Sequence, residues 1–139
     1  MTFTEVSVFS PLLKGKRVVI CEDEGLIVMQ LNLALTHAGL VVVGMAGNGQ
    51  EAVETVLRER PDLVTMDVRM PLLDGIEATR QILSVYPVCI LVVSAFANAG
   101  YQDKARQAGA SGYLVKPILG ETLLPALQSA WQAFEHPGR

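Results

Sequence analysis

Acidic residues follow two apolar runs of this sequence, at points where a buried strand would end. Residues 18–21 lead into the acidic triplet 22–24, and residues 63–66 lead into Asp67. Acids in a first helical turn are common because they interact favourably with the helix dipole, and a lone Asp after a strand often caps a turn. Adjacent carboxylates nevertheless repel one another unless a cation neutralises them. Because Mg²⁺ binds one or two carboxylates together with water, the pattern makes a magnesium site a testable hypothesis.

A hydroxyl and an ammonium group end two further apolar runs. Ser94 closes the run 88–94, and Lys116 closes the run 112–116. Each is ordinary alone, since a lysine that leaves a strand is usually solvated. Together with the acids they suit phosphoryl transfer, because ammonium and hydroxyl groups bind phosphate oxygens and a carboxylate can become an aspartyl phosphate. The residue types therefore predict phosphoryl chemistry on an acid.

The elements that position these groups alternate between strand and helix. Short runs rich in valine, isoleucine and leucine predict strands, and the stretches with helical periodicity between them predict helices. The predicted strands are residues 17–21, 40–46, 63–67, 88–94 and 112–116, and the predicted helices are residues 24–38, 50–60, 75–84, 98–108 and 122–135. Pro125 is expected near the first turn of the last helix, where proline costs little.

Five strand–helix units predict an α/β fold. The sheet would be open and parallel, with helices on both faces and right-handed crossovers. In such sheets the ligand site lies beyond the carboxyl ends of the strands, where the strand order reverses. Glu22, Asp23, Asp67, Ser94 and Lys116 are all expected at that edge.

Several motifs along the chain occur together in one known family. They are Glu22-Asp23, Asp67 with Pro71 and Gly75 after it, Ser94-Ala95, and Tyr113 before Lys116-Pro117. In this combination the sequence resembles the receiver domain of response regulators. The resemblance covers about residues 16–135. Residues 1–15 show no clear periodicity and are interpreted as a leader or arm, either mobile or docked, and residues 136–139 are interpreted as a tail. It implies a flavodoxin-like (βα)5 doubly wound sheet of order 2-1-3-4-5 and a phosphorylation-dependent switch in two-component signalling.

The resemblance also implies roles for the residues at the strand ends. Asp67 would accept a phosphoryl group from a sensor histidine kinase or a phosphotransfer protein. Asp23 and Asp67 would bind Mg²⁺ directly, the backbone carbonyl of Arg69 would be a further ligand, and Glu22 would act through water. Lys116 would pair with Asp67 and later with the phosphoryl group. Since phosphorylation adds negative charge beside existing carboxylates, removal of Mg²⁺ is expected to abolish it.

Further residues match the switch and the approach to the site. Ser94 and Tyr113 correspond to the coupled switch pair, in which the hydroxyl moves toward the phosphoryl group and the ring turns inward. The peptide bond before Pro117 is expected to be cis. Arg69 and Phe96 each lie two residues after a site residue, and we hypothesise that this bulky pair slows autodephosphorylation by shielding against water.

Composition limits the classes of function. Half of the 139 residues are hydrophobic and 18% are charged, which excludes an intrinsically disordered chain. A net charge of −3 provides no general attraction for a nucleic acid backbone, so direct DNA binding is not expected. No apolar run is long enough to span a membrane, and the first residues do not resemble a secretory signal. We expect a cytoplasmic protein with Cys21 and Cys89 as small buried hydrophobes.

Two other classes of protein use a similar sheet. A phosphatase with an aspartate nucleophile carries Asp-x-Asp at its first strand, whereas Asp67 is followed two residues later by Arg69. A flavin-binding flavodoxin-like protein would need a serine- or threonine-rich phosphate loop after its first strand, which this sequence lacks.

The output of a receiver domain has two interpretations here. A stand-alone receiver would relay phosphate or dock on a downstream protein partner through its fourth helix, fifth strand and fifth helix. Alternatively the chain is the receiver half of a longer transcription antitermination regulator, because residues 22–35 and 123–134 resemble receivers of that RNA-binding type. A homodimer through the final helix is compatible with both interpretations.

Overall fold

Five strands alternate with five helices along residues 9–137, which are the residues that this computed structural model describes. The strands are β1 (Arg17–Cys21), β2 (Val41–Ala46), β3 (Leu63–Met66), β4 (Cys89–Ser94) and β5 (Gly112–Val115). The helices are α1 (Gly25–His37), α2 (Gly49–Glu59), α3 (Gly75–Leu83), α4 (Ala99–Gln107) and α5 (Gly120–Glu135). Residues 1–8 of the predicted leader and 138–139 of the predicted tail lie outside the described residues.

The sheet is parallel throughout, in the order β2-β1-β3-β4-β5. The predicted fold class and strand order are therefore confirmed. The chain passes from β1 to β2 on one side and then returns to place β3 on the other side of β1. The strand order thus reverses between β1 and β3, and the crevice at their carboxyl ends is the expected place for a ligand.

Side chains on the two faces of the sheet form two cores. Val19 and Cys21 point into the core beneath α2, α3 and α4, while Val18 and Ile20 point into the core beneath α1 and α5. Every residue of β3 and β4 is buried, as expected for parallel strands covered on both faces.

Both cysteines are buried and free, as the sequence predicted. Cys21 and Cys89 lie in opposite cores. Burial raises the pKa of both thiols, that of Cys89 to about 12. Both thiols are therefore neutral near pH 7, and they pack as apolar side chains.

Most helices begin and end within one residue of the predicted positions. Capping side chains mark several of their starts. Asn48, Asp74 and Asn98 each cap a helix by accepting a hydrogen bond from the backbone N–H three residues later. The position predicted for Pro125 is wrong, because α5 begins at Gly120 and places this proline in the second turn. There it removes the N–H that would bond the carbonyl of Glu121.

Residues 9–15, the part of the predicted leader that the structure describes, pack against α1 and α5. Leu13 is fully buried against α1 and α5. The backbone N–H of Ser10 donates to the carbonyl of Ala38 (3.0 Å), and Gln128 Nε2 donates to Ser10 Oγ (3.0 Å). Within residues 9–137, none of the helices has the length and apolar character that crossing a membrane requires.

Candidate functional site

Two buried carboxylates lie side by side at the ends of β1 and β3. They meet because Cys21 and Met66, the residues that precede them, are paired across the two strands. The backbone N–H of Asp67 donates to the carbonyl of Cys21 (2.9 Å), which extends the pairing by one residue. Glu22 is 3% and Asp67 5% exposed. Asp23 is exposed, and its carboxylate together with those of Glu22 and Asp67 offers oxygens within 4.8 Å of one another.

Lys116 reaches the same place from β5. Its backbone N–H donates to the carbonyl of Ser94 (2.7 Å), so the chain leaves the sheet beside β4. Its Nζ lies 3.0 Å from Glu22 Oε1 and 3.4 Å from Asp67 Oδ1, and its side chain is 13% exposed. The ammonium therefore contacts two carboxylates, and the closer one is Glu22 rather than Asp67. The bond between Lys116 and Pro117 is cis.

Charge at this edge of the sheet is unbalanced. Burial raises the pKa of Glu22 to about 7, although Lys116 acts to lower it. Burial likewise raises the pKa of Asp67 against the opposing effect of Lys116. For Lys116, burial acts to lower the pKa, but contacts with Glu22 and Asp67 outweigh it and raise the pKa overall. With Asp23 included, three carboxylates face one ammonium, so a further cation at this edge is electrostatically favourable.

The donor atoms present fit Mg²⁺. Glu22, Asp23 and Asp67 provide oxygen alone, which suits a hard cation rather than a transition metal. Glu22 Oε1 is buried and accepts no hydrogen bond of ordinary geometry from the described residues, although Lys116 Nζ is near. A buried oxygen without an aligned donor is costly unless a cation or water satisfies it.

The loop from β3 to α3 is packed tightly beneath Asp67. A Cβ at Gly75 would lie 1.8 Å from the carbonyl oxygen of Asp67, and one at Gly49 would lie 1.8 Å from the carbonyl oxygen of Leu73. Only glycine allows such close approach of two backbones. Gly75 therefore fixes where β3 ends and where Asp67 points.

Ser94 and Tyr113 are both held to the backbone of Phe96. Ser94 is fully buried, and its Oγ accepts a hydrogen bond from the N–H of Phe96 (3.0 Å). The hydroxyl of half-buried Tyr113 donates to the carbonyl of Phe96 (2.6 Å). Because Ser94 is an acceptor here, its own hydroxyl hydrogen is available for another oxygen.

The ring of Phe96 contacts two further side chains. Arg69 Cζ lies 5.3 Å from the ring centroid, so the two residues predicted to flank the site do meet. The ring of Tyr101 stacks on that of Phe96 at a centroid distance of 4.6 Å and an interplanar angle of 18°. The sequence gives no signal for this role of Tyr101, because a single tyrosine on a polar helix belongs to no motif.

A profile of the response regulator receiver domain matches residues 18–128. The chain belongs to this family. Receiver domains are signalling switches, and membership favours this interpretation over the phosphatase and flavin-binding alternatives.

Two relatives and two solved structures show how similar the chain is to other receivers. It is 47% identical over 119 residues to the transcriptional regulatory protein PdtaR of Mycobacterium tuberculosis, covering 86% of this chain and 58% of that protein. It is 40% identical over 114 residues to the chemotaxis protein CheY of Thermotoga maritima, covering 81% of this chain and 95% of that protein.

Both solved structures are receiver domains. The response regulator domain of Thermotoga maritima CheB has a TM-score of 0.78 and 30% identity, covering 86% of this chain and 98% of that domain. The signal receiver domain of the response regulator NarL from Mycobacterium tuberculosis has a TM-score of 0.81 and 29% identity, covering 91% of this chain and 99% of that domain.

Proposed function

We propose that this receiver accepts a phosphoryl group on Asp67 from a sensor histidine kinase or a phosphotransfer protein. The observation that carries the proposal is a buried aspartate at the strand-order reversal with Lys116 Nζ 3.4 Å away and two further carboxylates beside it. An isolated buried carboxylate would favour its neutral form, which is a poor nucleophile. Lys116 opposes that effect by acting to lower the pKa of Asp67, although burial raises it overall.

The proposed transfer forms one bond and breaks one. A carboxylate oxygen of Asp67 attacks phosphorus, and the bond from phosphorus to the donor's histidine nitrogen breaks with its electron pair left on nitrogen. Lys116 and Ser94 then bind phosphoryl oxygens through their N–H and O–H groups. Asp23, Asp67 and the carbonyl of Arg69, with Glu22 through water, would hold Mg²⁺, which when bound supplies positive charge against the added phosphoryl charge.

The switch would pass from Ser94 to Tyr113 through Phe96, because both side chains bond the backbone of that residue. Tyr113 also borders a groove between α4 and β5 whose wall includes Gln102 and Arg106. A change in the Tyr113 ring would alter this groove. We therefore propose that the face formed by α4, β5 and α5 transmits the signal by binding a downstream protein partner.

Phosphorylation with a small phosphodonor such as acetyl phosphate tests this proposal directly. Intact mass spectrometry should show addition of one phosphoryl group with Mg²⁺ and none after chelation. Asp67→Asn should abolish the addition, while Asp103→Asn, a change at an exposed aspartate of α4, should leave it intact. Equal phosphorylation of the Asp67→Asn and unchanged proteins would contradict the assignment.

Binding of Mg²⁺ has a readout that does not need phosphorylation. Mg²⁺ should raise the thermal unfolding temperature, because it binds the folded site and not the unfolded chain. Asp23→Asn should remove most of that increase, whereas Asp62→Asn, at the opposite edge of the sheet, should not. An equal increase in the Asp23→Asn variant would exclude Asp23 as a ligand.

A second proposal concerns the output. The chain spans 58% of the length of PdtaR, whose name is that of a transcriptional regulatory protein. This coverage supports the interpretation that the chain is the receiver half of a longer antitermination regulator. The alternative is a stand-alone receiver. The natural reading frame after Arg139 distinguishes the two.

Sedimentation with and without beryllofluoride tests the homodimer, and an unchanged monomer would exclude phosphorylation-driven dimerisation.

A further inference from the structure

We propose that Tyr101 on α4 is a positioning residue that sets the lifetime of the phosphoryl group by holding Phe96 over the site. This inference rests on the proposed phosphorylation of Asp67 and on shielding by Arg69 and Phe96. It adds a residue outside the site and connects the stability of the phosphorylated state to α4.

The strand register places Phe96 at the edge that holds Asp67. Met66, the residue before Asp67, is paired with Val92 of β4. The chain continues from Val92 through buried Ser94 to Phe96 at the same end of the sheet. Arg69, two residues after Asp67, contacts the Phe96 ring from the neighbouring loop. The ring thus lies among residues that follow the ends of β3 and β4.

The backbone contacts of Phe96 do not fix its ring. Ser94 and Tyr113 bond the N–H and carbonyl of Phe96, which hold its main chain and leave rotation of the side chain free. Phe96 is only half-buried, and its neighbours Ala95 and Ala97 are exposed. Its ring packs against neither hydrophobic core, and the structure shows it in contact with Arg69 and Tyr101.

Tyr101 is the firmer of these two contacts. Its backbone N–H donates to the capping oxygen of Asn98 (3.0 Å), which fixes it in the first turn of α4. One turn later Ala105 is fully buried, so the helix is anchored in the core. Arg69 in contrast is exposed, and a cation over a ring at an exposed site contributes little. Near-parallel stacking on an anchored helix restricts the Phe96 ring more strongly.

Loss of the phosphoryl group is the step that this arrangement would slow. The oxygen of a water molecule attacks phosphorus, and the bond between phosphorus and the Asp67 carboxylate oxygen breaks. Asp67 regains its ionised carboxylate, and inorganic phosphate leaves with the water oxygen while the protons pass to phosphate and solvent. A ring held over the site obstructs this water, and a freely rotating ring obstructs it less.

The decay of the phosphorylated protein tests the role of Tyr101. The full chain is phosphorylated with acetyl phosphate and Mg²⁺, the donor is removed, and the remaining acyl phosphate is followed with time. Tyr101→Ala should accelerate decay about two- to tenfold, the range that corresponds to one stacked aromatic pair. Tyr101→Phe should decay like the unchanged protein, because stacking needs the ring and not the hydroxyl.

Two comparisons distinguish a positioning role of Tyr101 from a general loss of domain stability. In a double-mutant cycle, Tyr101→Ala should add nothing in a Phe96→Ala background, which should itself decay faster than the unchanged protein. Tyr86→Ala is the matched control, because Tyr86 is also half-buried and has Arg60 Cζ 4.8 Å from its ring centroid, at the amino-terminal edge of the sheet. It should leave the decay rate unchanged.

Three outcomes would overturn the inference. Unchanged decay in Phe96→Ala would remove the shielding on which it depends. Unchanged decay in Tyr101→Ala beside faster decay in Phe96→Ala would exclude Tyr101. Equal acceleration by Tyr86→Ala and Tyr101→Ala would indicate loss of stability instead of positioning. Failure of the unchanged protein to be phosphorylated is distinct from all three and would overturn the proposed function itself.

Discussion

At the scale of single residues, the site is a buried cluster with more negative than positive charge. Lys116 is in contact with both buried carboxylates, Glu22 and Asp67. Burial of a carboxylate costs free energy unless the carboxylate is paired with a cation. Here a single ammonium offsets that cost for two carboxylates. The same excess of carboxylates makes a cation favourable at this position.

Replacement of Lys116 by Met should therefore destabilise the metal-free protein. Removal of one partner of a buried ion pair costs about 3 kcal/mol or more, and Glu22→Gln in the same background should recover part of the loss. Urea unfolding in the presence of a chelator measures both changes. Arg106→Met is the control, since Arg106 pairs with Asp103 at 72% side-chain exposure and should cost under about 1 kcal/mol. Equal losses for Lys116→Met and Arg106→Met would contradict the prediction.

At the scale of elements, the position of Asp67 depends on how the loop after β3 packs. The carbonyl of Asp67 faces Gly75 at a distance that excludes a side chain, and the N–H of Gly75 donates to the carbonyl of Val68 (2.8 Å). Asp74 then caps α3 through the N–H of Glu77. The end of β3, the loop and the start of α3 thus form one packed unit.

Gly75→Ala should disrupt this unit. The added methyl group would force the backbone of Asp67 or α3 to move, at a cost of about 1 to 3 kcal/mol, and should reduce phosphorylation by acetyl phosphate. Gly120→Ala provides the matched control, because a Cβ there meets nothing within 4 Å. Thermal unfolding and the phosphorylation assay measure the two effects. A Gly75→Ala protein with unchanged stability and phosphorylation would show that the loop adjusts freely.

At the scale of the whole molecule, the receiver core extends beyond the matched residues 18–128. Leu13 is fully buried against α1 and α5, and Lys16 Nζ lies 4.4 Å from the ring centroid of Trp131 on α5. The segment before β1 thus joins α1 to the last helix, and it contributes to the core beneath them.

Leu13→Ala should lower the free energy of unfolding by about 2 to 5 kcal/mol, as for other buried leucines. The neighbouring Leu12 is 40% exposed, so Leu12→Ala should change it by about 0.5 kcal/mol or less. Equilibrium unfolding in urea compares the two variants. Similar small effects for both would show that residues 9–15 are not part of the folding unit.

Local sequence signals predicted most of the fold. Asn48, Asp74 and Asn98 cap helices close to the predicted helix starts, and the apolar runs of β3 and β4 predicted strands buried on both faces. The start of α5 was misplaced because Leu119 precedes it without a capping side chain. Strand order came from the family resemblance, since parallel strands carry no local mark of their neighbours.

The sequence by itself determined which groups gather at one edge, because residues that end parallel strands must share an edge of the sheet. Only the tertiary structure decided how they contact one another. Contacts such as Lys116 with Glu22, or Arg69 with Phe96, join residues whose separation is set by strand register and loop packing. Those depend on how distant segments fit together in three dimensions, which no local spacing encodes.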